Sequence, residues 1–145
     1  MPEVRIAGVD DIPALLDLHA AYCAADRHEF DDARVTAALQ ELIAQPSLGC
    51  VLVLEVGNQA HGYGVLACGF SLECGGVEYV LDELFVEPQG AGYGSVLLKA
   101  CIAEAKRRGA RRLFLETEAD NVDARRFYGR HGFHVEDSIW MAQFL

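Results

Sequence analysis

An apolar stretch, a glycine-rich turn and a helical pattern follow one another between Leu84 and Arg108, and this succession constrains the chain more than any other feature. Leu84-Phe85-Val86 reads as the end of a strand. Pro88-Gln89-Gly90-Ala91-Gly92-Tyr93-Gly94-Ser95 reads as the turn, and residues 94 to 108 carry helical spacing. Glycine lets the backbone come close to a ligand. The first-turn amides of a helix lack intrahelical acceptors, and the helix dipole favours negative charge there. The segment from Gln89 to Ser95 is therefore expected to hold a phosphate-bearing ligand.

The rest of the composition sets bounds. A chain of 145 residues can build one domain, 1–145, with a substantial core. No repeat, low-complexity tract or linker is evident. Met1 to Gly8 shows no basic region followed by an apolar core, and no apolar run approaches a bilayer span. These features predict a soluble, cytoplasmic protein. Five cysteines without a CxxC spacing read as reduced and mostly buried thiols. The net charge of −10 is unevenly spread. Residues 1–45 carry nine acids against three Lys or Arg, and residues 46–88 carry six acids and no Lys or Arg. Residues 89–145 carry seven acids against nine Lys or Arg. A polyanionic ligand at the turn and a cationic partner near the first half fit this asymmetry; an acidic, solubilising surface explains it as well. Free nucleic acid does not suit so acidic a chain.

Periodicity gives the coarse organisation. Val4–Ala7 reads as a strand. Asp10 or Asp11 caps a helix with Ile12, Leu15, Leu16 and His19 on its inner face, ending near Tyr22. Asp31 or Asp32 caps a second helix that stops at Gln45-Pro46. Three strands follow as a meander, Cys50–Val56, Ala60–Phe70 and Val77–Val86, with turn signals at Gly57-Asn58 and Cys74-Gly75-Gly76. After the helix beyond the glycine turn come a strand at Arg112–Glu116 and a short helix at Asp123–His131. Phe133–Glu136 and Ile139–Phe144 form a closing hairpin about Asp137-Ser138. The predicted order is β-α-α-β-β-β-α-β-α-β-β, an α/β chain of the α+β kind: a mixed sheet with helices packed on it.

The glycine spacing discriminates among ligands. A P-loop requires a lysine straight after its last glycine, and the next lysine is Lys99. A dinucleotide fingerprint would need glycine where Ser95 stands, in a fold larger than this chain allows. The pattern [Q/R]xxGxG is matched in full by Gln89 to Gly94. With that turn, three further parts stand in order: Leu81-Asp82-Glu83-Leu84-Phe85-Val86-Glu87-Pro88 before it, and Glu118-Ala119-Asp120-Asn121 and Ala124-Arg125-Arg126-Phe127-Tyr128-Gly129-Arg130-His131-Gly132-Phe133 after it. Over essentially its whole length the chain resembles the GNAT acetyltransferase superfamily, with some similarity to the diamine/polyamine N-acetyltransferase type. That resemblance implies a GNAT-like fold and acetyl-CoA as donor. It implies that the amides of Gln89, Gly90, Ala91, Gly92, Tyr93, Gly94 and Ser95 grip the CoA pyrophosphate. Backbone groups of Leu84, Phe85 and Val86 would pair with the pantetheine arm, Asn121 would contact it, and Tyr128 would lie near the sulfur. Homodimers are common in such proteins, and the closing hairpin could pair across an interface. The tail from His134 to Leu145 is shorter than in many relatives, so the acceptor pocket is expected to be more open or completed by a second subunit.

Acetyl transfer to an amine requires a base, because a lysine-like ammonium carries its proton at neutral pH. Asp82 and Glu83 lie in an otherwise apolar strand beside the turn, and either can take that proton directly or through water. Side chains alternate along a strand, so only one of the two is expected to face a given cleft. The resemblance places Asp82 where a water-mediated base is expected. A backbone N–H at Phe85 or Val86 suits the developing oxyanion. Tyr128 can return a proton to the departing thiolate, since a phenol is protonated at neutral pH. Asp26, His28 and Glu29, with Asp31 and Asp32, cluster between the first two helices and would draw a cationic acceptor: a polyamine, a diamine, an aminoglycoside or a basic peptide. A protein or peptide N-acetyltransferase and a non-catalytic acyl-CoA-binding module are the competing readings. No metal is expected; the five histidines are scattered, and His131-x-x-His134 straddles a helix end.

Overall fold

The computed structural model describes every residue, Met1 to Leu145, and these pack as two compact units, Met1–Leu115 and Glu116–Leu145.

The first unit is built on a five-stranded sheet in sequential order. Its strands are β1 (Glu3–Ile6), β2 (Gly49–Val56), β3 (Gln59–Ser71), β4 (Gly76–Val86) and β5 (Leu113–Phe114). The first four are antiparallel neighbours; β5 joins β4 in parallel, through Tyr79–Leu113 and Val80–Phe114 alone. The β2–β3 turn places Gly57 at φ 58° and Asn58 at φ 69°, the pair of left-handed residues that suits a two-residue hairpin.

Helices α1 (Ile12–Asp26) and α2 (Asp32–Ala44) follow β1, and α3 (Tyr93–Arg107) follows β4. A 3₁₀ turn at Val9–Asp11 leads into α1, which runs four residues past the predicted end at Tyr22 and closes on Arg27 at φ 58°. Asp31 caps α2, its carboxylate accepting from the Arg34 amide at 3.1 Å. One core lies between α1, α2 and the sheet: Ile12, Leu15, Leu18 and Leu39 meet Val51, Val53 and Tyr63. Alternation sends Leu52, Leu54 and Leu66 to the other face, toward α3, whose Leu97, Leu98 and Cys101 are fully buried. Burial pushes the Cys101 thiol up to about 12. Gly64 faces the same side because a Cβ there would come within 2.7 Å of Cys101 Sγ.

Two register shifts shape the sheet. Along β2–β3 the register steps over His61, and along β3–β4 Val65 pairs with Glu83 while Leu66 pairs with Leu81, leaving Asp82 without an opposite number. Such bulges re-aim the side chains around them.

In the second unit, α4 (Val122–Arg130) is capped by Asn121, whose Oδ1 accepts from the Ala124 amide at 3.1 Å. The predicted closing hairpin is absent. No strand follows α4, and Val135, Ile139, Met141 and Phe144 are exposed. Asp137 and Ser138 do not take the left-handed conformation that a two-residue hairpin turn needs. The predicted order therefore holds up to α4 and fails for its last two strands.

Candidate active site

The Asp82 bulge decides what β4 presents. Before it, Tyr79 donates its amide to the Arg112 carbonyl at 3.0 Å and Val77 accepts from Arg111 at 2.8 Å, so odd-numbered residues turn their backbone groups toward β5. Beyond it, the Glu87 amide bonds to the His61 carbonyl at 2.7 Å, so odd-numbered residues turn toward β3. Ladder alternation then points the backbone groups of Leu84 and Val86 to the side that β5, ending at Phe114, does not reach. Phe85, expected to pair with a ligand, instead faces its ladder partner Tyr63. Gln89 Nε2 donates to the Val86 carbonyl at 2.8 Å, so Val86 offers that side its N–H.

The bulge also alters the carboxylates. Strict alternation would send Asp82 and Glu83 to opposite faces. Beside a bulge that rule is relaxed, and the Tyr22 phenol of α1 has its pKa raised by burial first, then by Glu83, Asp26 and Asp82. Asp82 is exposed. Glu83, with 22% of its side chain exposed, sits in a polar cluster inside the apolar layer. Its Oε1 accepts from the Tyr63 hydroxyl at 2.6 Å and lies 3.0 Å from His19 Nδ1. His19 Nδ1 is 3.1 Å from the Tyr63 hydroxyl, and His19 Nε2 is 3.3 Å from Cys23 Sγ. Burial above all, then Glu83, drives the Tyr63 phenol well above its ordinary range. Burial likewise raises the Cys23 thiol. Tyr22, Phe30 and Tyr63 ring His19, and Phe85 packs edge-on to Tyr22.

His19 and Tyr63 were not singled out from the sequence. His19 sits at helical spacing with apolar neighbours, and Tyr63 is one aromatic among several in a strand. The available signal was His19 and Cys23 four residues apart, on one helix face.

Of the expected acceptor residues, Asp26 ends α1, and His28 follows it with Nε2 3.8 Å from Asp26 Oδ2 and its ring edge-on to Tyr22. Glu29 is exposed in the connection. Beside β4 lies a cleft of about 590 Å³ whose lining includes Ala21, Ala25, His61, Phe85 and Val86. The His61 ring also lies tilted against Tyr93, with the ring centroids 5.7 Å apart.

At the glycine turn, Gly90 and Gly92 stand at φ 83° and 82°, conformations that other residues rarely take, and Gly92 caps α3. A Cβ on either would meet nothing within 4 Å, so a ligand can approach the backbone there. Ala91, Tyr93, Gly94 and Ser95 complete the turn and enter α3. In the second unit Tyr128 packs edge-on between Phe127 and Phe133.

Residues 13–133 match the model of the acetyltransferase (GNAT) family. The chain belongs to the GNAT acetyltransferase family. An uncharacterized N-acetyltransferase of Bacillus subtilis, YhfO, is 30% identical over 135 residues, covering 92% of this chain and 90% of the relative. MJ1207 of Methanocaldococcus jannaschii, also an uncharacterized N-acetyltransferase, is 26% identical over 140 residues, and the match spans 94% of this chain but only 62% of that protein. The family and both relatives place this GNAT chain among the N-acetyltransferases. An integron cassette protein from the mobile metagenome of Cole Harbour Salt Marsh superposes with a TM-score of 0.88 at 29% identity, over 98% of this chain and 90% of that one. A predicted acetyltransferase from Clostridium acetobutylicum, solved with acetyl-CoA, shares the fold with a TM-score of 0.82 at 20% identity, over 99% and 96% of the two chains.

The residues present fit a CoA-type donor. The GNAT chain pairs a helix N-terminus and an open glycine turn with a stretch of β4 that has a strand on one side only. No group of three or more His, Cys, Asp or Glu is arranged to hold a metal ion, and no helix is long and apolar enough to cross a membrane.

Proposed function

We propose that this chain is an acetyl-CoA-dependent N-acetyltransferase for a primary amine on a small cationic acceptor, such as a polyamine or diamine, with Glu83 as the base. The observation that carries the reading is the placement of Glu83, bonded by Tyr63 and His19, with Asp82 and Asp26 also acting on the Tyr22 ring. An ammonium entering there meets carboxylates for its charge and aromatic faces for its alkyl chain. Asp82 is exposed, so its role is attraction of the acceptor, and the proton falls to Glu83. Asp26, His28 and Glu29 extend the acidic rim.

Acetyl-CoA supplies the acetyl group as a thioester. The turn from Gln89 to Ser95 holds its pyrophosphate, and β4 lines its pantetheine arm through Leu84 and Val86. Asn121, whose Oδ1 caps α4, keeps its amide N–H groups for that arm. The acceptor loses a proton to Glu83, and the freed lone pair attacks. The Val86 N–H, aimed away from β3, stabilises charge developing on the carbonyl oxygen. Tyr128 returns a proton to the thiolate.

The test is CoA release, followed with a thiol-reactive dye, across a panel of polyamines, diamines, aminoglycosides and lysine-bearing peptides. Release with the small amines and none with peptides supports the proposal. Release with peptides alone moves the acceptor to proteins, and donor binding without turnover across the panel overturns the enzymatic reading. Tyr128→Phe is expected to lower kcat about 10- to 100-fold with unchanged acetyl-CoA affinity; full activity would remove it as the acid.

A further inference from the structure

We infer that His19 is a positioning residue for Glu83, locked by Cys23 as the tautomer that donates from Nδ1, so that one oxygen of the carboxylate is fixed and the other is left for the acceptor's proton. The inference rests on the reading of Glu83 as the base and goes beyond it by saying what makes one carboxylate of the pair suitable.

Hydrogen-bond roles follow from the chemistry of each partner. A carboxylate oxygen only accepts, so the His19 nitrogen 3.0 Å from Glu83 Oε1 carries the proton. In a neutral imidazole the other nitrogen then holds a lone pair. What lies 3.3 Å from it is the Cys23 thiol, a donor when protonated. Cys23 is 3% exposed, in an environment that disfavours a thiolate, so the S–H persists and points at Nε2. The rings of Tyr22, Phe30 and Tyr63 hold the imidazole plane.

Tyr63 completes the arrangement from the sheet. Its hydroxyl, 3% exposed as a residue, donates to the same Oε1 at 2.6 Å. Both donors, one from α1 and one from β3, converge on a single oxygen. Oε2 receives no protein donor, while the side chain keeps 22% of its surface open. A carboxylate held through one oxygen cannot swing, and its other oxygen meets the acceptor at a set angle, which is how a small error in placement is kept from slowing transfer. The buried thiol serves here as a proton donor, not as a nucleophile.

The tautomer is testable without turnover. Imidazole ¹⁵N–¹H correlation spectra of the free protein are expected to show the His19 proton on Nδ1, and Glu83→Gln should shift that resonance where the exposed Cys68→Ser leaves it in place. A proton on Nε2 overturns the inference. With an accepted amine, His19→Leu should lower kcat on the order of 100-fold with KM for acetyl-CoA within about twofold. His19→Asn keeps an N–H where Nδ1 stood and should recover at least about tenfold of that loss. Equal losses in the two variants, or a change confined to KM for acetyl-CoA, would show a merely structural histidine. If the parent protein turns over no amine, the base reading of Glu83 falls, and the tautomer measurement still decides the hydrogen-bond arrangement.

Discussion

Two part-buried carboxylates lie on opposite sides of the same sheet. Glu83, on the face toward α1 and α2, is bonded through one oxygen by the Tyr63 hydroxyl and the His19 imidazole. Glu104, on α3, is bonded through both oxygens by arginines: Arg107 Nε on Oε1 at 2.9 Å and Arg108 Nε on Oε2 at 2.7 Å. The Arg107 contact first, then Arg108, holds the Glu104 carboxyl down to about 2, well below its usual range. The difference separates two uses of a carboxylate. Glu104 has its charge answered on both sides and is a strut between turns of α3. Glu83 has one oxygen fixed and one open, an arrangement suited to moving a proton.

Breaking the Glu83 side should give the largest effect. Glu83→Gln keeps the shape and its hydrogen bonds but removes the proposed base, and kcat should fall roughly 10²- to 10⁴-fold with the thermal midpoint nearly unchanged. A fall in stability without loss of rate would reverse the assignment of the two faces. A smaller effect is expected across the sheet. Gly64→Ala drives a methyl into Cys101 Sγ, 2.7 Å away, and toward Leu84 Cδ1 at 3.4 Å. It should cost roughly 1–3 kcal/mol in urea unfolding and leave kcat within a small factor. A parallel loss of rate would mean that the layers are coupled through Leu84 and β4. The smallest effect belongs to Glu104→Gln. Because the folded pKa lies below the ordinary 4.5, the contribution is fully present above about pH 4.5 and is lost as pH falls toward 2. Thermal melts should show a loss of roughly 1–2 kcal/mol at neutral pH that vanishes in acid, the solvent-exposed Arg107 holding it to that size. Equal differences at pH 7 and pH 2.5 would contradict the ion-pair account.

The elements of this comparison were unequally legible in the sequence. Helices and strands up to α4 could be placed within a few residues because their spacing, caps and turn residues are local properties: Asp31 before α2, Gly57-Asn58 between β2 and β3, the glycines before α3. The glycine turn where the donor is proposed to sit was legible for the same reason. The closing hairpin was misread because Ile139, Met141 and Phe144 show only that a segment could pair, while pairing also needs a partner and a competent turn. Asp82 and Glu83 were singled out, but their setting was not, since a bulge is a property of two strands in register and leaves no mark on one. His19 was missed because a packed imidazole and a packed leucine occupy the same helical position in a pattern of apolar residues. Only the side chains of β3 and β4, more than forty residues away, make it polar in role.

The unpaired residue at 82 has a consequence for how such a protein can change. Removing one residue there would put β4 back in step with β3 across its whole length. Every later residue would keep its partner, with Glu83 opposite Val65 and Leu84 opposite Gly64, so the carboxylate would stay on its face. What would go is the local bend and the second carboxylate, the two things the extra residue contributes to the acceptor rim. The residue at 82 can therefore be gained or lost in inheritance without turning the rest of β4 over, which lets the acceptor rim vary while Glu83 is kept in place.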